Sequence, residues 1–215
     1  MSWPVERISS SAAAFHAREL PDPIARAVWV CDATGPALVL GSAQSDERVD
    51  RPACAAAGVD MVRRRSGGGA VLVVPGEVLW VDVVLPTGDP LWQDDVGRAF
   101  HWLGDLWAAA LQDVGVDAAV HRGGLLRTPW SPQVCFAGLG PGEVTVDGRK
   151  VVGISQRRTR ASARFQCAAL ARWDPLAIVP LLGLPPSATV ELEGVAVGVG
   201  VDLGVLCDAL VHRLP

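Results

Sequence analysis

The amino-acid sequence predicts an α+β fold: a central mixed, mostly antiparallel sheet flanked by helices. Three observations carry this prediction. Apolar, β-branched runs such as 26–31 (RAVWVC), 71–74 (VLVV) and 78–86 (VLWVDVVLP) are short and bounded by turn residues, as strands are. An Asp147-Gly148 pair sits between alternating apolar residues, a strong hairpin signal. One longer stretch, 89–115, repeats Leu91, Val96, Phe100, Leu103, Leu106, Trp107, Leu111 and Val114 at helical spacing and is closed by Gly115.

In chain order, 26–31 and 37–40 (ALVL) read as two strands around the turn DATGP. A helix is expected over 46–58 (DERVDRPACAAAG), with Pro52 near its first turn. The runs before and after Pro75-Gly76-Glu77 read as a hairpin, and both are apolar enough on two faces to lie mid-sheet beneath helices. After the helix within 89–115 come a strand at 116–121, a loop at 122–133, the Asp147-Gly148 hairpin and a strand over 164–171. A short helix at 174–183, an irregular stretch at 185–200 and a last helix over 202–214 complete the order. No repeat or composition break divides the 215 residues, so one domain over 1–215 is expected.

Half of the chain is apolar, and 19 basic against 23 acidic residues leave a net charge of -4. Such a field attracts neither nucleic acid nor an anionic membrane, and neither is expected as a partner. Pro75, Gly76 and Asp82 interrupt the apolar runs well short of the roughly 20 residues a membrane span needs. The N-terminus lacks the pattern of a signal peptide, so a cytoplasmic location is expected. Five cysteines form no CxxC pair, which points to reduced thiols and no metal site.

Two stretches stand out. Lys150, within 146–158 (VDGRKVVGISQRR), is the only lysine in a chain that otherwise uses arginine. A compact ammonium with three rotatable donors does what a planar guanidinium cannot. The other is 63–71 (RRRSGGGAV), where three glycines precede a strand. They let a ligand approach the main chain, while Arg63 and Arg64 offer charge-assisted contacts to an anion. The pattern is neither GxxxxGK[ST] nor GxGxxG, so P-loop and Rossmann readings lose their support.

RRRSGGGAV, followed by Cys135-Phe136 and then DGRKVVGISQRR, resembles the lipoate-protein ligase A family and its octanoyltransferase relatives within the biotin and lipoate ligase superfamily. The resemblance implies an enzyme that attaches lipoate or a related acyl group to a lysine of a lipoyl carrier domain through an acyl-adenylate. ATP and magnesium would be co-substrates, with no permanently bound cofactor. Implied acceptors are the lipoyl domains of 2-oxoacid dehydrogenases or the glycine cleavage H protein. By motif, Arg64 is expected to contact the adenylate phosphate, and Gly69, Ala70, Val71 and Leu72 to line the nucleotide and acyl site. Arg63, Ser66, Gly67 and Gly68 complete the binding loop, Lys150 reaches phosphate and acyl carbonyl, and Gly153 lets its strand pass close to the ligand. The accessory C-terminal domain of some ligases is not expected.

The chain departs from the ligase pattern at Leu72-Val73-Val74, at Gly142-Glu143, where Asn-Asp is usual, and at Gln166-Cys167, where His-Gly is usual. Glu143 reads either as a substitute acid or as a surface carboxylate. Cys135 reads either as a buried structural thiol or as the nucleophile of an ATP-independent octanoyltransferase that takes its acyl group from acyl carrier protein. A non-catalytic protein that only binds acyl-adenylate is the third reading. Asp82, alone among apolar neighbours, must be paired, exposed or functional. Cys31 and Cys207 read as core, Cys54 and Cys167 as undecided. Arg157, Arg158, Arg160 and Arg164 form either a solvated face or a dock for an acidic carrier.

Overall fold

A computed structural model describes residues 3–215. Its larger sheet is built from β1 (Val5–Ser10), β2 (Ala27–Ala33), β6 (Val78–Pro86), β10 (Ser162–Leu170), β9 (Arg149–Arg158), β8 (Val144–Val146) and β7 (Ala119–Val120), adjacent in that order. Only β1 and β2 run parallel; every other neighbouring pair in this sheet is antiparallel. A smaller sheet sets β3 (Ala37–Leu40) between β4 (Asp60–Arg63) and β5 (Val71–Val73). The mixed, mostly antiparallel α+β architecture is thus as the sequence predicts.

Strand alternation explains the layers. Val28 and Val30 of β2 and Leu79, Val81, Val83 and Leu85 of β6 point to one face, where α3 (His101–Asp113) and α6 (Leu203–His212) cover them. Trp29, Cys31, Trp80 and Val84 point to the other face and meet Ala37, Val39, Val62 and Val73 of the small sheet and Phe15 of α1 (Ala12–Ala17). Beyond the small sheet, Leu38 and Leu40 pack against residues of α2 (Arg51–Ala56), α4 (Pro175–Ile178) and α5 (Ser187–Glu193). A central strand covered on both faces has no polar side, which is why β6 reads as a nearly continuous apolar run.

Several expectations are corrected. The apolar runs flanking 75–77 are not a hairpin: β5 pairs with β3 in the small sheet, while β6 lies between β2 and β10. Nor do β2 and β3 pair around DATGP. Local periodicity cannot tell one sheet from another when both are buried. The 46–58 helix shrinks to α2, with Asp50 as its N-cap and Pro52 in its first turn. The 89–115 helix begins only at a 3-10 turn over Arg98–Phe100, just after the Asp95 side chain has turned the chain by accepting from the Arg98 amide. Residues 185–200 hold α5, and β1 and α1 lie where no element was expected. The Asp147-Gly148 hairpin is present, with positive φ at both residues (49° and 75°) as a type I′ turn requires. Among the described residues no helix is long and apolar enough to cross a membrane.

Asp82 is fully buried on β6 and is paired. Arg164 of β10 donates Nε at 2.8 Å and Nη2 at 2.5 Å to its Oδ2, and Trp80 Nε1 donates to Oδ1 at 2.7 Å. Burial pushes this carboxyl up and Arg164 opposes the shift. Arg164 also donates to the carbonyls of Phe15 and Arg18, tying α1 to the sheet. One member of the arginine cluster is therefore structural, while Arg157 and Arg160 are exposed.

Candidate functional site

Lys150 stands directly after the hairpin turn, at the start of β9, and only 3% of it is exposed. Its main chain is bonded to Val195 and Val197, which continue the sheet where β10 has ended. Its Nζ donates to Glu143 Oε1 at 2.7 Å and to the carbonyls of Cys135 and Gly138, each at 3.1 Å. All three ammonium hydrogens are thereby satisfied, and the Phe136 ring lies 5.1 Å away as an additional cation-π contact. Glu143 is as buried as its partner. Its Oε2 accepts from the Gly140 amide and its Oε1 also from the Ile154 amide, so both oxygens are engaged. Glu143 is not a surface carboxylate but the buried counter-ion of Lys150. Among the described residues no cluster of three His, Cys, Asp or Glu side chains is placed to bind a metal.

A β-bulge aims the lysine. Thr145 pairs with Lys150 but Val144 pairs with Val152, so β9 carries one extra residue. The bulge reverses the alternation and brings Lys150 to the side chain face of Gly153 and Ser155. Gly153 makes room for it: a Cβ there would lie 3.2 Å from Lys150 Cε and 3.5 Å from Phe136. Gly153→Ala should therefore impair whatever chemistry this cleft performs more than it lowers melting temperature, since the methyl displaces the ammonium without opening the core; assays of turnover and thermal unfolding on the same preparation check this.

The glycine loop faces the lysine across a cleft of roughly 510 Å³ lined by Gly67, Gly68, Gly69, Cys135, Glu143 and Lys150, among others. Gly68 adopts φ +99°, beside the Arg64 guanidinium, and a Cβ on Gly69 would meet the Val134 and Cys135 main chain at 2.7 to 2.8 Å. Arg64 is buried, and its donors go to the carbonyls of Val39 (3.2 Å), Gly67 (3.3 and 2.7 Å) and Gly69 (2.8 Å). It shapes the loop. A phosphate contact by this residue has only the remaining Nη1 hydrogen to use. Arg63 is exposed and clips the Gly41 and Gln44 carbonyls. Ser66 is buried against Ser155 Oγ (3.0 Å) and Gln166 Oε1 (3.2 Å).

A second, mainly apolar pocket of about 50 Å³ lies between the two sheets and is lined by Val39, Val71, Val73, Trp80, Phe136 and His16, among others. It meets the cleft at Cys135, Ile154 and Ser155, which line both. Cys135 is the one cysteine that is not buried, whereas Cys31, Cys54, Cys167 and Cys207 are core. Of the remaining predicted residues, Val71 lines the apolar pocket and also a neighbouring hollow beside Trp173, while Ala70 and Leu72 line only that hollow. The site thus gathers Lys150, Cys135, Gly67, Gly68, Gly69 and Gly153 and leaves Ala70, Leu72 and Arg63 aside. Sequence reasoning missed Ser155, five residues after the lysine, and His16, on a helix it did not foresee.

His16 is 8% exposed, its ring tilted by 37° against Trp80 at 4.8 Å between centroids. Burial, then the positive charges of Arg164 and Arg64, lower its pKa to about 3. The folded chain therefore refuses a proton that the unfolded chain accepts below its usual value of 6.5. Stability from this group is complete above that pH and falls by up to about 1.4 kcal/mol per pH unit on acidification toward pH 3. Denaturant titrations between pH 7 and 4 should show a shallower decline in His16→Phe than in the wild type.

Residues 13–195 match the family described as "Lipoyl protein ligase A/B catalytic domain". No curated protein sequence matches the chain at a significant level. Among solved structures, a lipoate-protein ligase A bound with ATP is 18% identical, with TM-score 0.72 over 99% of this chain and 84% of the other. The bipartite lipoate protein ligase of Thermoplasma acidophilum, from a study that includes its E2 lipoyl domain, is 16% identical, with TM-score 0.76 over 99% of this chain and 82% of the other. Another structure from that organism, protein Ta0514 with bound lipoic acid, is 16% identical, with TM-score 0.72 over 99% and 84%. At such identities the likeness shows the fold, and the family match covers most of the sequence. The chain belongs to the lipoyl protein ligase A/B catalytic-domain family.

Proposed function

We propose that this protein transfers lipoate, or a closely related acyl group, to the lysine of a lipoyl carrier domain by way of an acyl-adenylate. The observation that carries this reading is a buried, singly occurring ammonium at the floor of a cleft, opposite a glycine loop and beside an apolar pocket. In the first step the acid's carboxylate attacks the α-phosphorus of ATP and pyrophosphate leaves. In the second the carrier amine attacks the acyl carbon, a C–N bond forms, the C–O bond to phosphate breaks, AMP departs with the electron pair and the amine's proton is lost to solvent. Negative charge grows on the acyl oxygen and then on the phosphate, and a mobile ammonium between them stabilises both. Lys150 has all three hydrogens occupied, so engaging the substrate means exchanging a main-chain carbonyl for it while Glu143 keeps hold. Magnesium would enter with the nucleotide, as Glu143 is already held by Lys150 and two main-chain amides. The related structures with bound ATP and lipoic acid, and the archaeal lipoylation system with its E2 lipoyl domain, support these substrates.

One observation favours a second reading, an octanoyltransferase. The Cys135 thiol is the only one not buried, lies where cleft and apolar pocket meet, and belongs to the residue whose carbonyl accepts from Lys150. There its thiolate would attack an acyl carrier thioester, releasing the carrier thiol, and then pass the acyl group to the lipoyl lysine. Incubating apo lipoyl domain with the protein and either lipoate, ATP and magnesium, or octanoyl carrier protein without ATP, separates the two by the acceptor's mass. A gain only with ATP is the expected result. A gain without ATP that is lost in Cys135→Ala replaces the first reading with the second, and no gain in either arm overturns both.

A further inference from the structure

The apolar pocket contains one polar atom with nothing to bond. His16 lines it, and its Nε2, buried to less than 1 Å² of exposed surface, has no hydrogen-bond partner among the described residues. The other polar side chains around the pocket are engaged: Ser155 with Ser66, Gln166 with Ser66 and His16, and Arg64 with the loop carbonyls.

A relay of contacts determines what that Nε2 is. Asp82, held by Arg164, is a fixed acceptor, so the Gln166 amide turns its nitrogen toward Asp82 Oδ2 (3.5 Å) and its oxygen toward Ser66 Oγ (3.2 Å). The same nitrogen donates to His16 Nδ1 at 3.2 Å. A ring that accepts at Nδ1 and remains neutral carries its hydrogen on Nε2. The orphan is therefore an N–H donor, and a buried donor left without an acceptor is costly.

We propose that His16 Nε2–H selects acyl chains that carry a hydrogen-bond acceptor at the end remote from the carboxyl. This rests on the acyl-pocket reading given above. With the carboxyl at Lys150 in the cleft, the chain passes Cys135 and Ser155 and its far end enters the pocket. The pocket's 50 Å³ admits only the last few heavy atoms, about four. A carbonyl oxygen there satisfies the donor, a ring sulfur does so more weakly, and a methyl end leaves it unpaired. A site built to hydrogen-bond a substrate group discriminates strongly against an analogue lacking it.

The test is calorimetric titration of 7-oxooctanoate, lipoate and octanoate into the whole protein, with the non-hydrolysable nucleotide α,β-methylene-ATP present. The wild type should bind the oxo acid about tenfold more tightly than octanoate, with lipoate between them. His16→Phe should bring that ratio close to one, whatever it does to the affinity for octanoate, and His16→Gln, whose amide reaches the same position, should restore part of it. The His16 Nε2 signal in histidine ring ¹⁵N spectra should shift on adding the oxo acid and not on adding octanoate. Equal affinities in the wild type, or a ratio that survives in His16→Phe, would overturn the inference while leaving the acyl pocket standing. If none of the three acids binds, both the pocket reading and the role of His16 fall together.

Discussion

Lys150→Met is expected to abolish measurable transfer to a lipoyl domain, a loss of at least about 10²- to 10³-fold, since it removes the one cation placed to meet the developing oxyanion. It should also destabilise the fold. Glu143 would be left buried with its charge uncompensated, which costs about 3–5 kcal/mol when one member of such a pair is removed. The two effects separate in the double variant Lys150→Met/Glu143→Gln. A neutral amide still accepts from the Gly140 or Ile154 amide, so stability should largely return while activity does not. Lys150→Arg is a sharper probe of geometry: a guanidinium is too broad for the space that Gly153 leaves beside Phe136, and its fixed plane cannot satisfy Glu143 and two carbonyls together. Full turnover in the arginine variant, measured as mass gain on the acceptor, would remove the lysine from the chemistry.

The second large effect is expected at Arg164. Arg164→Met strands the Asp82 carboxylate at the middle of β6 and frees the carbonyls of Phe15 and Arg18. The loss should again be about 3–5 kcal/mol, seen as a fall in melting temperature on the order of 10 °C. Pairing the change with Asp82→Leu should recover most of it, because replacing both ions by apolar groups removes the desolvation cost rather than exposing it. The recovered protein would, however, lack the carboxylate that orients Gln166, which connects this stability device with the state of His16.

Much of this molecule is legible along the chain. The lone lysine after an Asp-Gly turn, the glycine loop between apolar strands and the type I′ hairpin are local features, and their physics is local: φ angles, side-chain size and donor number. The family resemblance, resting on two motifs in order, agrees with the match over 13–195. By contrast, which sheet β5 joins, that Glu143 locks Lys150, that Arg64 bonds its own loop and that Asp82 is paired to Arg164 are decided by contacts between residues far apart in sequence. Alternation within an apolar run cannot say which of two buried sheets receives it, because both offer the same hydrophobic environment. The sequence by itself determined the fold class and singled out the lone lysine and the glycine loop opposite it. Only the tertiary structure decided which acids neutralise the buried cations, because the cost of desolvating a charge arises only once the layers close and water is excluded.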